Sequence, residues 1–272
     1  MKITVLIDNT PGENEALQSE HGLSLHITAG NMQILVDTGL TGKAIDNAEA
    51  LGIDIREVDV LVLSHGHIDH TGGLRRFLEV NKKAKIWASS KVGEYQYASC
   101  RGGHIHSLSL DAELINAYRD RFVFIDQDSD ICHNIRCVLC RHNLFKRPAG
   151  NRYLTVGNMP YEADDEVALC IIDKGRLNII SPCSHSGLLN IITSCCESTG
   201  VSQVNAFVGG LHLLDEEGSA DNVPLLAETL HSTYSGLKLI TGHCTGALAK
   251  ETFTRIMQGN CKVMNTGFSI DV

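Results

Sequence analysis

The chain has 272 residues, of which 43% are hydrophobic and 20% charged, enough apolar material to bury a core in one large domain or two small ones. No apolar run approaches the ~18 residues of a membrane span. A net charge of −9 and a pI of about 5.8 disfavour nucleic acid as a partner, because an acidic surface repels phosphate backbones.

The opening MKITVLIDNT meets Asp8 and Asn9 at once, too early for the apolar region of a secretory leader. It reads as a first strand, Ile3–Ile7, in a protein expected to be cytoplasmic. Strands follow at Leu23–Thr28 and Gln33–Val36. Thr41 is placed to cap a helix that runs to about Leu51, with Gly52 marking its end. Val58–Leu63 is a continuous apolar run, hence a buried strand, and it leads straight into Ser64-His65-Gly66-His67. A helix is predicted over Leu74–Glu79 and a short strand over Lys85–Ala88.

Residues from about 90 to 160 read as an insertion that shapes a pocket. They carry His104 and His106 in a glycine-bearing loop, a helix near Ala112–Tyr118, and an irregular stretch around Lys146–Pro160. Beyond them, Val167–Ile172 and Leu177–Ile180 predict a hairpin around Lys174-Gly175, which leads to Ser184-His185-Ser186-Gly187. Val204–Val208 leads to Gly209-Gly210-Leu211-His212, and Leu237–Ile240 leads to Thr241-Gly242-His243-Cys244. Four apolar strands therefore end near a histidine beside a glycine. That is how an active-site rim is built: the strands bury themselves and their ends project ligands.

Ten cysteines are irregularly spaced, several in apolar stretches such as Ala168-Leu169-Cys170-Ile171, and read as reduced thiols. Cys132-x4-Cys137-x2-Cys140 copies part of an iron–sulfur spacing. Its setting of Ile131, Ile135, Val138 and Leu139 looks like a strand, and no suitable fourth cysteine lies nearby. Cys183 and Cys244 flank two of the strand-end histidines; metal binding or attack on a substrate is open to either, but no separate base for a nucleophile is apparent, and packing beside the histidines is the favoured reading. Asp164-Asp165-Glu166 is read as a solvated turn, and His26, His133, His142 and His231 as having no catalytic role.

The strongest signal is Ser64-His65-Gly66-His67-Ile68-Asp69-His70-Thr71-Gly72-Gly73. Three imidazoles and a carboxylate fall within six residues, and these are ligands that zinc, iron and manganese accept. In an extended segment His65 and His67 point the same way. A helix starting just after them would aim Asp69 and His70 at a second point.

This His-x-His-x-Asp-His pattern, between an apolar strand and Thr-Gly-Gly, resembles the signature of the metallo-β-lactamase superfamily. Leu35-Val36-Asp37-Thr38-Gly39, His185 and His243 are similar to its other motifs. The resemblance implies an α/β fold, an αββα sandwich of the metallo-β-lactamase type, in a single domain over 1–272. It implies a two-metal site, with His65, His67 and His185 on one ion and Asp69, His70 and His243 on the other. Asp37 would support the ligand loop through hydrogen bonds. The ions would be divalent, zinc first, with manganese or iron as alternatives. One departure stands out: the superfamily's bridging aspartate is absent from Gly209-Gly210-Leu211-His212, and Asp215 comes three residues late. His212 is open to two roles, a metal ligand in place of the bridge or a catalytic acid or substrate contact; the second is the one expected, with Asp69 as the other catalytic residue.

Asn9, Glu20-His21-Gly22-Leu23-Ser24, Cys183-Ser184-His185-Ser186-Gly187 and Gly242-His243-Cys244-Thr245-Gly246 are similar to one branch, the metal-dependent hydrolases of superfamily II. That branch includes archaeal enzymes joining a dihydropterin to an aminobenzene ribofuranosyl phosphate. The expected function is hydrolysis of a small ester, amide or phosphoester by a metal-activated water. A pterin-type transferase acting on a phosphorylated substrate is the alternative, and a non-catalytic metal-binding protein the distant third. The expected partner is a small-molecule substrate, with neither nucleic acid nor membrane, and assembly into oligomers is left open.

Overall fold

Runs of Ile, Leu and Val at the start of the chain build a seven-stranded sheet. Its first members are β1 (Lys2–Ile7), β2 (Ser24–Ala29), β3 (Met32–Val36), β4 (Val60–Val62) and β5 (Lys85–Ser89). They lie in that order, with Ser269–Asp271 outside β1 and Phe122–Ile125 outside β5. β1, β2 and β3 pair antiparallel, whereas β3, β4 and β5 run parallel. Parallel neighbours need crossover connections, and helices α1 (Lys43–Ala50) and α3 (Leu74–Val80) supply them. The computed structural model describes residues 1–215 and 222–272. In it this sheet belongs to one compact unit, Met1–Asp126 with Leu154–Pro160 and Asn265–Val272.

Leu35, Leu61, Leu63, Leu74, Phe77 and Ile86 pack into one buried cluster of this unit. Each such side chain withdrawn from water contributes about 1.5–3 kcal/mol. Helix α1 takes Gly42, not Thr41, as its N-cap and has no side-chain cap. Thr41 lies one residue further out, where its hydroxyl donates to Glu20 Oε2 at 2.6 Å and accepts the Lys43 backbone N–H at 3.3 Å.

The second unit, Gln127–Tyr153 with Tyr161–Met264, holds another seven-stranded sheet. The predicted hairpin is present as Val167–Asp173 and Arg176–Ile180, turning through Lys174 (φ 49°) and Gly175 (φ 73°). Next to it lie Val204–Val208 and Lys238–Thr241, all parallel from Arg176–Ile180 onward. Helices α5 (Leu188–Thr199), α6 (Val223–Thr233) and α7 (Ala247–Met257) bury Ile191, Leu230 and Phe253 against Phe207 and Leu239.

The stretch 90–160 divides between the units. Tyr97–Ser99, His106–Ser107, Leu154–Val156 and Met159–Pro160 form a small sheet in the first. Ser129–Cys132 and Ile135–Leu139 extend the large sheet of the second. Cys137 and Cys140 are buried free thiols there, as the strand-like setting predicted. Among the described residues, no helix is long and apolar enough to cross a membrane.

Candidate metal centre

In the first unit, β4 ends at Val62 and delivers the chain to Ser64 and His65, both buried. Gly66 is required at this bend, since a Cβ there would lie 2.2 Å from the Tyr97 ring. His67 then sits at the N-terminus of α2 (Ile68–Thr71), which carries Asp69 and His70.

Asp37 organises this segment, as its motif led us to expect. Fully buried, its Oδ1 accepts the Ser64 backbone N–H at 2.7 Å. Its Oδ2 accepts the Ser64 hydroxyl at 2.6 Å and His70 Nδ1–H at 2.7 Å. The Ser64 hydroxyl has one proton and gives it to Asp37. The 2.8 Å contact between Ser64 Oγ and His65 Nδ1 must then be donated by the ring. Both His65 and His70 therefore carry their proton on Nδ1 and present an Nε2 lone pair, the tautomer a metal needs.

His65 Nε2 and His67 Nδ1 lie 3.0 Å apart. Two nitrogens about 2.0–2.1 Å from one tetrahedral ion stand roughly 3.3 Å apart, so the pair fits such an ion with little adjustment. His70 Nε2 lies 3.5 Å from Asp69 Oδ2, and that spacing fits a nitrogen and an oxygen on one ion equally well. The donor chemistry of this loop thus suits divalent transition metals.

One neighbour was not foreseen: His21 Nε2 stands 3.3 Å from Asp69 Oδ2. Asn9 Nδ2 meets the other His21 nitrogen at 3.1 Å, which leaves the His21 proton on the side of Asp69. The residues were visible in Asn9 and Glu20-His21-Gly22, but nothing in the spacing tied them to Asp69.

In the second unit, His185 follows the strand Arg176–Ile180 and is buried. Its Nδ1 meets Asn151 Oδ1 at 3.0 Å, while Asn151 Nδ2 donates to the His185 carbonyl at 2.7 Å. The amide is thereby oriented, and His185 again presents Nε2. Its backbone N–H and that of Ser186 donate to Glu166 Oε1 and Oε2, both at 2.7 Å.

Asp164 is exposed, but Asp165 and Glu166 are buried, at 0% and 1% exposure, so only the first acid of the turn is solvated. The other two face inward: Tyr161 donates to Asp165 at 2.8 Å, and Glu166 holds the His185 loop. Burial pushes the Glu166 carboxyl up to about 7, against the Ser186 and His185 hydrogen bonds that pull it down.

His212 is buried at 6% exposure. Its Nδ1 lies 3.5 Å from Cys183 Sγ, and its Nε2 has no hydrogen-bond partner among the described residues. Its ring centroid is 4.1 Å from that of His185. Burial pushes the Cys244 thiol up, but the hydrogen bond with Cys183 and the His243 and His212 charges outweigh it, and the net shift is well downward. The core thiols Cys140 and Cys195 are driven the other way by burial.

Asp215 is not at a metal position. Its carboxylate accepts the Ala247 and Leu248 backbone N–H groups and so caps α7, whose own cap residue Gly246 has no side chain to offer. Asp215→Ala is expected to lower stability by about 1 kcal/mol with metal content unchanged; denaturant unfolding and elemental analysis read the two separately. His104 and His106 are exposed, as are His133 and His231. His142 pairs with Glu197 at 2.7 Å.

Residues 22–99, which hold the Asp37 and His65–His70 motifs, match the model of the metallo-beta-lactamase superfamily. A solved metal-dependent hydrolase of the β-lactamase superfamily is 27% identical and superimposes with a TM-score of 0.82, covering 100% of this chain and 99% of that one. The chain thus resembles the metallo-β-lactamase superfamily and shares its fold. Its fold class is the α/β type that the motifs implied. The chain is also 29% identical to the 7,8-dihydropterin-6-methyl-4-(beta-D-ribofuranosyl)-aminobenzene-5'-phosphate synthase of Methanocaldococcus jannaschii. That match covers 98% of this chain and 95% of the relative. The metallo-β-lactamase fold protein YhfI from Bacillus subtilis, 14% identical with a TM-score of 0.60 over 99% of this chain and 98% of that one, shares the fold.

Proposed function

We propose that this protein is a metal-dependent hydrolase acting on a small ester, amide or phosphoester at a two-metal site. In this reading His65, His67 and His185 hold one ion, and Asp69, His70 and His243 hold the other. Zinc is the first choice, with manganese or iron as alternatives. The observation that carries it is the Asp37 network, which turns the Nε2 lone pairs of His65 and His70 outward. A loop with no ligand to hold has no use for a fully buried carboxylate that fixes two tautomers at once.

Bound there, divalent ions supply an activated water at neutral pH and stabilise negative charge developing on an acyl or phosphoryl oxygen. Asp69 lies between His21 and His70, and orients the attacking water or accepts its proton. His21 holds that carboxylate from the opposite side and restrains its rotation. His212 meets the substrate through Nε2, the ring atom left without a partner among the described residues. Asn151 and Glu166 hold His185 in place from two directions.

The second reading, transfer of a pterin-type group to a second organic substrate, is favoured by the near full-length likeness to the archaeal synthase. Product analysis in 18O-labelled water separates the two. Hydrolysis places solvent oxygen in the product, whereas transfer leaves it unlabelled and requires both organic substrates. A protein that takes up no zinc, manganese or iron on reconstitution would sink both readings.

A further inference from the structure

We propose that Cys183, His212 and Cys244 form a metal site of their own, one that takes a thiophilic ion of the zinc class. None of the three is among the six ligands assigned above. All lie in the second unit and all are buried.

The topology brings them together. Ile180, Val208 and Ile240 stand in one row across three adjacent parallel strands. Cys183 comes three residues after Ile180, His212 four after Val208, and Cys244 four after Ile240. Each strand thus places one donor just beyond the same edge of the sheet. The donor atoms fall within 4.8 Å of one another. Cys183 Sγ is 3.2 Å from Cys244 Sγ and 3.5 Å from His212 Nδ1.

A tetrahedral ion about 2.3 Å from sulfur and about 2.0–2.1 Å from nitrogen sets sulfur–sulfur edges near ~3.8 Å and sulfur–nitrogen edges near ~3.5 Å. The second edge is already met, and the first requires the sulfurs to part by roughly half an ångström. The backbone has been shaped to admit this sulfur pair. A Cβ on Gly210 would lie 2.4 Å from Cys244 Sγ and 2.9 Å from the Pro182 carbonyl, so no side chain fits there. The His212 backbone N–H donates to Cys244 Sγ at 3.2 Å, the kind of support that metal thiolates receive.

Two sulfurs and an imidazole select soft or borderline ions over magnesium and calcium. Binding releases the thiol protons to solvent and engages His212 through Nδ1. The His212 proton then resides on Nε2, the buried ring atom that has no partner among the described residues, and that atom becomes a donor. The site therefore fixes which proton His212 can offer.

Cobalt(II) is the probe, added to the metal-free, fully reduced whole chain. Thiolate-to-cobalt charge-transfer absorption in the near ultraviolet is expected. It should persist in a His65→Ala/His67→Ala variant, which removes two imidazoles of the site proposed above. It should vanish in Cys183→Ser/Cys244→Ser, which keeps the imidazole-ligated cobalt bands in the visible. Cadmium-113 NMR of the wild type, with a shift in the thiolate range, gives the same answer if that variant does not fold. Absence of the charge-transfer band in reduced wild type, its survival in the double-serine variant, or its loss with His65 and His67 overturns the proposal. A native mass two hydrogens light, mapped to a Cys183–Cys244 disulfide that persists under reductant, overturns it as well.

Discussion

In a His67→Ala variant, one of the two proposed ions is expected to leave the protein during gel filtration while the other stays. His67 Nδ1 and His65 Nε2 converge to 3.0 Å, so removing one imidazole reduces a three-ligand site to two. The loss should exceed the ~10–100-fold that removal of a merely supporting residue costs. The fold has little reason to fail with it. His67 begins α2 through its backbone angles and makes no side-chain cap, so far-ultraviolet circular dichroism should match wild type. Competition against a chelator, with elemental analysis of the eluted protein, reads the effect. Unchanged stoichiometry would remove His67 from the ligand set.

Asp37→Asn is the second large effect, and it acts without removing any of the proposed ligands. Asparagine is nearly isosteric and among the residues that best tolerate the left-handed backbone that Asp37 adopts, with φ 57°. Three donors converge on the carboxylate. An amide brings one acceptor and two donors of its own. If the amide nitrogen faces His70 Nδ1, that ring must accept there, which moves its proton to Nε2 and blocks the lone pair. A fall in metal affinity of ~10–100-fold is expected, with the variant still folded. Isothermal titration with zinc measures it; wild-type affinity in Asp37→Asn would show that the carboxylate does not set the tautomer.

Much of this was legible because the strands are short, apolar and punctuated. Val204–Val208 occupies the predicted residues, and the Lys174-Gly175 turn joins the predicted hairpin strands. The Asp37 support was readable from its motif. Residues that act through the backbone were not. Asp164-Asp165-Glu166 looks like any solvated turn, because charge in a sequence does not say which way it faces; two backbone N–H groups from residues 185 and 186 repay the burial of Glu166. Asn151 lies 34 residues from the histidine it orients, and no local pattern predicts that pairing. Thr41 lies one residue before the Gly42 cap, and its hydroxyl is donated to a distant carboxylate, Glu20, a pairing that helix-capping rules do not see. Cys183 and Cys244 were read as packing, since only the parallel register sets their sulfurs side by side.

Asp37, Ser184, His212 and His243 all carry positive φ, between 44° and 58°, and none is a glycine. A left-handed backbone disfavours such residues by roughly 1–2 kcal/mol each, and it persists only where the surroundings over-determine it. The bends follow strands whose cores are fully buried, so the sheets hold them in place. Heating should release these bends by local opening before the sheets themselves melt. Loss of the activity proposed above is therefore expected at a lower temperature than loss of circular dichroism. Cooling from that interval should restore activity in full, because the scaffold that re-forms the bends has never come apart.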